Sequence, residues 1–161
     1  MIIEPFGEVD LEELEPEYEA ELTVRETLVE MDLNFEEESI DATALEFVPP
    51  LIAKLESLAD RAFAAIAEDY DAGGEHGARG YLEHHLSEFD TETTLEIFGR
   101  ETVDKDLFLS RLRLLRVGIY PESTDDYAAV LDIQLPKEHT NYLLAVTFDA
   151  AGEFLEVSMD S

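Results

Sequence analysis

Residues 75–90, EHGARGYLEHHLSEFD, hold three of the chain's four histidines (His76, His84 and His85) together with Glu75, Glu83, Glu88 and Asp90. Imidazole and carboxylate at this density are the raw material of a metal site or an acid–base pair. Helical spacing sorts them. At about 100° per residue, Tyr81, Leu82, His85, Leu86 and Phe89 share one arc of about 140°, an apolar face. His85 falls inside that arc and reads as a core histidine with a hydrogen bond. His84 falls on the flank, one turn from Glu88, and His76 precedes the helix in a glycine-rich loop. A zinc site takes three or four ligands. His84 and Glu88 supply two at i, i+4 spacing, and His76, Glu75 or a distant acid would have to complete the set. Adjacent helical residues diverge by about 100°, so His85 does not join His84. The candidate metal set is therefore His76, His84 and Glu88. The plainer reading, a helix carrying a His84–Glu88 surface pair and no metal or cofactor, is the one adopted.

Other catalytic signatures are missing. There is no HExxH zinc motif, and no Walker lysine or preceding strand beside the glycines of DAGGEHGARG, which read as a loop. Neither G-x-S-x-G nor S-x-x-K occurs. EDYDAGGEHG lacks the alternating ligands and terminal Glu of a calcium loop. Forty acids make any glycosidase pair an arbitrary choice. No catalytic residue is assigned, and the chain reads as a non-enzyme. Arg111, Arg113 and Arg116 in SRLRLLRVG offer an anion-binding patch, but forty acids against ten bases favour their pairing with the chain's own carboxylates.

That acid excess gives a formal net charge of −30 and is uneven: residues 1–50 contain seventeen acids and one base, Arg25. Such a field repels nucleic acid and anionic membrane and attracts a basic protein. The absence of cysteine excludes disulfides and thiolate chemistry. The opening MIIEPFGEVD has neither a basic n-region nor an apolar h-region, and no apolar run reaches spanning length, so a soluble cytoplasmic protein is expected.

These groups need elements to hold them. In YEAELTVR, Tyr18, Ala20, Leu22 and Val24 share one face. In LVEMDLNF, Val29, Met31, Leu33 and Phe35 do the same. Period-two alternation predicts two half-buried strands joined as a hairpin, with a strongly acidic outer face. Glu19, Glu21, Glu30 and Asp32 on that face, with Glu36, Glu37 and Glu38 following, are the candidate partner-binding residues. After Pro49 and Pro50, Leu51, Leu55, Leu58, Ala62 and Ile66 predict one helix of roughly twenty residues. Residues 41–48 read as a short helical turn. Three short helices follow, from about Gly80 to Phe89, over TETTLEIF with Asp90 or Thr91 as N-cap and Gly99 as stop, and over VDKDLFLSRL with Thr102 as N-cap. The remainder, LLRVGIY, YAAVLDIQL, YLLAVTF and FLEVSM, reads as strands with short links, hence antiparallel. One domain of α+β class is expected over residues 1–161: an N-terminal hairpin, central helices, and C-terminal strands in one sheet with helices on one face.

Taken together, FGEVDLEELEPEYEAEL, RAFAAIAEDY, YLEHHLSE, RLRLLRVGIYPE and above all LDIQLPKEHTNYLLAVTFDAAGEFLEVSMDS resemble a bacterial family catalogued as domain of unknown function two-thousand-and-four. The resemblance covers most of the chain and is thinnest over residues 36–56. It implies a single-domain cytoplasmic α+β protein and carries no activity or catalytic residue. The leading functional expectation is a non-enzymatic acidic protein that binds a basic protein partner, as immunity and inhibitor proteins do. Two alternatives stand beside it: a metal-assisted hydrolase using the histidines of residues 76–88, and a structural or oligomeric housekeeping protein whose acidity serves solubility or salt adaptation.

Overall fold

The computed structural model describes all residues from Met1 to Ser161. The chain starts with a two-stranded ribbon, β1 (Ile2–Ile3) and β2 (Gly7–Glu8), which buries Ile3 and the following Val9. The alternating segments then form β3 (Glu17–Val24) and β4 (Thr27–Asn34), antiparallel and in full register. Their link is the pair Arg25–Glu26, both at positive φ (52° and 65°), as a two-residue type I′ hairpin turn requires.

A 3-10 turn over Ala42–Leu45 leads to α1 (Val48–Ala53), with both prolines in its first turn, and then to α2 (Leu55–Ala72). The expected single helix is thus two. At Lys54 the backbone leaves helical geometry (φ −100°, ψ 11°), and its N–H is shared between the Pro50 and Leu51 carbonyls. Leu51 and Leu55 stay buried on either side, so the apolar period runs through the break unchanged. α3 (Ala78–Glu88), α4 (Thr91–Phe98) and α5 (Lys105–Arg111) follow. Asp90 caps α4 by accepting from Thr93 N–H at 2.7 Å, and Gly99, in the left-handed region, ends it. The cap of α5 is Asp104 rather than Thr102. Its carboxylate accepts from Leu107 N–H at 2.9 Å and carries the negative charge that a helix N-terminus favours.

The chain returns as β5 (Arg113–Ile119), β6 (Ala129–Gln134), β7 (Leu143–Phe148) and β8 (Phe154–Asp160). Strand order in the six-stranded sheet is β3-β4-β5-β6-β7-β8. All neighbours are antiparallel except β4 and β5, which run parallel because the whole helical segment lies between them and carries the chain back across the sheet.

Register divides the sheet into cross-strand rows. Ala20, Met31, Val117, Leu131, Val146 and Val157 form one row on the helix side. With Leu33, Ile119 and Phe148 this face packs on Leu58, Ala62 and Ile66 of α2, Tyr81 of α3 and Phe108 of α5, in one cluster of 33 buried residues. Each large apolar side chain buried there contributes about 1.5–3 kcal/mol. No helix is long and apolar enough to cross a membrane. The helices lie on one face of the sheet; the other carries the acids of β3 and β4 and, farther across, the buried Asp132, Gln134, Ala145 and Thr147.

Candidate functional site

The histidine stretch separates as helical geometry dictates. His85 is buried on α3. Its Nδ1–H donates to the Tyr81 carbonyl at 2.7 Å, which leaves Nε2 to accept from the Thr140 hydroxyl at 2.7 Å. Thr140 Oγ1 in turn accepts from Tyr142 N–H at 3.0 Å. The fully buried Tyr81 hydroxyl donates to the Tyr142 carbonyl (2.7 Å) and accepts from Leu135 N–H (3.1 Å). Burial lowers the His85 pKa from its ordinary 6.5; the Tyr81 carbonyl opposes that shift and the neighbouring His84 adds to it. This network ties α3 to the loop between β6 and β7, and it leaves neither ring nitrogen of His85 free.

His84 is half-buried, its ring 4.8 Å from that of Tyr142. Glu88 is exposed and makes no ion pair with His84, so the expected surface pair does not form. A shallow groove of about 440 Å³ does bring His84, His85 and Glu88 together with His139 and Thr140. His139, on the β6–β7 loop, faces Glu96 of α4 at 3.9 Å. His76 does not line this groove: it is exposed in the loop before α3, and its carbonyl accepts from Met159 N–H of β8 at 2.9 Å. No group of three or more His, Cys, Asp or Glu side chains converges on a position where a metal ion could sit.

The second cluster lies on the sheet face opposite the helices. One row across it reads Glu21, Glu30, Arg116, Asp132, Ala145, Ser158; the next reads Glu19, Asp32, Gly118, Val130, Thr147, Glu156. Glu17 and Asp160 extend the same face at its two edges. Glu17, Glu19, Glu21, Glu30 and Glu156 are all exposed. Glu17, Glu19, Glu21, Glu30, Asp32 and Arg116 together line a shallow depression of about 480 Å³.

Asp32 departs from the expected pattern. It is buried, because Arg116 from the parallel neighbour folds over it: Nε lies 2.5 Å from Oδ1, and the second guanidinium nitrogen bonds Oδ2. Arg116 also reaches Asp132 (3.0 Å) and the Tyr120 hydroxyl (3.0 Å). Gly118 sits beneath that contact. A Cβ there would come within 2.8 Å of the Tyr120 hydroxyl and 2.9 Å of the guanidinium. Burial alone would lower the Arg116 pKa, but its bonds to Asp32 and Tyr120 hold it above the ordinary value. Burial raises the Asp132 carboxyl above its ordinary 3.8, against the pull of Arg116. One guanidinium thus serves two aspartates, and the centre of the face keeps a net negative charge.

The other assigned acids sit apart. Glu36, Glu37 and Glu38 are exposed in the loop beyond β4, where Glu122 accepts from the backbone N–H groups of Glu36 (2.5 Å) and Glu37 (2.9 Å). Of the three clustered arginines only Arg116 meets acids. Arg111 donates to the Ile97 and Phe98 carbonyls, and Arg113 to those of Ser110 and Leu112, because both stand where a helix end exposes unpaired C=O groups. Glu156, Ser158 and Asp160 were readable from the alternation of FLEVSMD. The Arg116 triad was not, since it needs the parallel β4–β5 register. Compared with protein-family models, curated proteins and solved structures, the chain matches none.

Proposed function

We propose that the acidic β3–β4 part of the sheet face opposite the helices is a docking surface for a basic protein, and that the protein acts by binding rather than by catalysis. One observation carries this reading: Glu21 stands directly opposite Glu30, and Glu19 opposite Asp32, on a face where the neighbouring Arg116 is already held between two aspartates. Like charges placed opposite one another weaken a sheet. Solubility is served by acids anywhere on a surface and does not call for these pairs. A partner bearing Lys or Arg relieves the repulsion and gains steered association. The same field opposes nucleic acid and anionic membranes. A cytoplasmic location and membership of the family that the C-terminal strands resemble belong to this proposal as well. The histidine groove does not favour the metal-assisted alternative, because His85 is engaged by Tyr81 and Thr140, His139 faces Glu96, and no third ligand converges on His84 and Glu88.

Titration of labelled protein with a short lysine-rich peptide at two ionic strengths tests it. Amide shifts should concentrate on residues 17–21 and 30, weaken at higher salt, and vanish in a Glu19→Gln/Glu21→Gln/Glu30→Gln variant. Shifts spread evenly over the molecule, or surviving in that variant, would refute the assignment.

A further inference from the structure

β3 is the outermost strand of its sheet, bonded to β4 on one side only. The hairpin turn sets its parity. A two-residue type I′ link makes the flanking Val24 and Thr27 a mutually hydrogen-bonded pair. Such pairs recur at every second residue, so Leu22, Ala20 and Tyr18 direct their N–H and C=O groups to β4. Thr23, Glu21, Glu19 and Glu17 therefore direct theirs outward, and no hydrogen bond outside the ladder reaches those four backbones. The strand has neither a proline nor a bulge, two common ways of blunting an edge. Its eight residues offer a template about 27 Å long. The opposite edge differs, since Met159 N–H of β8 is taken up by the His76 carbonyl at 2.9 Å.

Side chains decide what fits. The outward-bonding residues are the acidic ones, so an added strand sets its own side chains directly opposite Glu17, Glu19 and Glu21. A second copy of β3 would bring carboxylate against carboxylate and is excluded as the occupant. On the helix side β3 presents Tyr18, Ala20 and Leu22, each half-buried, with apolar surface still to cover. We infer that β3 accepts an extended segment of the basic partner as a seventh strand of the sheet, a segment in which Lys or Arg alternates with apolar residues over ~6 positions. The basic side chains lie opposite the glutamates, and the apolar ones continue the row of Tyr18 and Leu22. This rests on the docking surface proposed above and specifies how that surface is read.

Two peptides of identical composition, one alternating lysine and valine and one with the same residues in two blocks, separate the ideas. The alternating peptide is expected to bind about tenfold more tightly at equal ionic strength, and to slow hydrogen exchange at the Glu19, Glu21 and Thr23 amides. N-methylation of its alternate amides that face β3 should abolish the difference. Equal binding by the two isomers, with β3 exchange unchanged, overturns strand addition and leaves electrostatic docking standing. If neither peptide binds in a salt-sensitive way, both readings fall.

Discussion

His85 occupies a site built for the neutral ring, with Nδ1–H on a carbonyl and Nε2 facing the Thr140 hydroxyl. Its pKa lies below the ordinary 6.5, chiefly through burial, so between the folded value and 6.5 the unfolded chain binds the extra proton. The stability it contributes is complete above pH 6.5 and is lost as pH falls through that window. Urea midpoints measured from pH 8 to pH 5 should decline more steeply in the native protein than in His85→Gln. Parallel curves would show that the ring is not the titrating element. Arg116 is a second single-residue case. Replacing it with alanine leaves Asp32 and Asp132 buried without a countercharge. Breaking such a pair costs about 3–5 kcal/mol when fully buried; the Arg116 side chain is 33% exposed, which places the expected loss nearer ~2–3 kcal/mol. Without the guanidinium the Asp132 carboxyl, already raised by burial, rises further. The deficit should therefore be largest near neutrality and shrink as acid protonates Asp132. A deficit independent of pH would mean that Arg116 matters only for packing.

At the scale of elements, the hairpin turn is a place where the sequence works against its own backbone. Neither Arg25 nor Glu26 is glycine, yet both occupy the left-handed region. Arg25 has compensation in its stack on Phe63 at 4.3 Å and its contact with Asp60 at 3.5 Å. Glu26 has no salt-bridge partner and is exposed. Glu26→Gly should raise unfolding free energy by about 1 kcal/mol, read as a shift in denaturation midpoint; a destabilised variant would contradict that account of the turn. The hairpin itself was legible because alternation over Tyr18–Val24 and Val29–Phe35 is local, and so were the apolar faces of α2 and α3. The antiparallel C-terminal strands followed from short links. What stayed hidden depended on distant partners. The parallel β4–β5 pairing, and with it the burial of Asp32 by Arg116, joins residues 84 positions apart that no local period relates. The ribbon over Ile2–Glu8 was too short to show a period. His139 reached the histidine groove from a loop for the same reason. The break at Lys54 escaped notice because it changes no face.

For the whole molecule, a charge of −30 sets stability against recognition. Self-repulsion weakens the compact state, and the register concentrates it where Glu21 meets Glu30. Were stability the sole demand, a lysine at either position would turn a repulsive cross-strand pair into an attractive one. Glu21→Lys should stabilise the fold by about 0.5–1 kcal/mol at low salt. Added salt should narrow the gap between variant and native protein, because the screening length falls to about 8 Å near 0.15 M and relieves the native repulsion first. Binding of an alternating lysine–valine peptide should fall in the same variant, since a cation now stands where the incoming one must lie. Paired denaturation and titration measurements decide the matter. Gained stability with lost binding identifies the acidic rows as a recognition surface maintained at a cost in stability. Gained stability with unchanged binding would reduce them to a device for solubility and would remove the ground for the docking proposal.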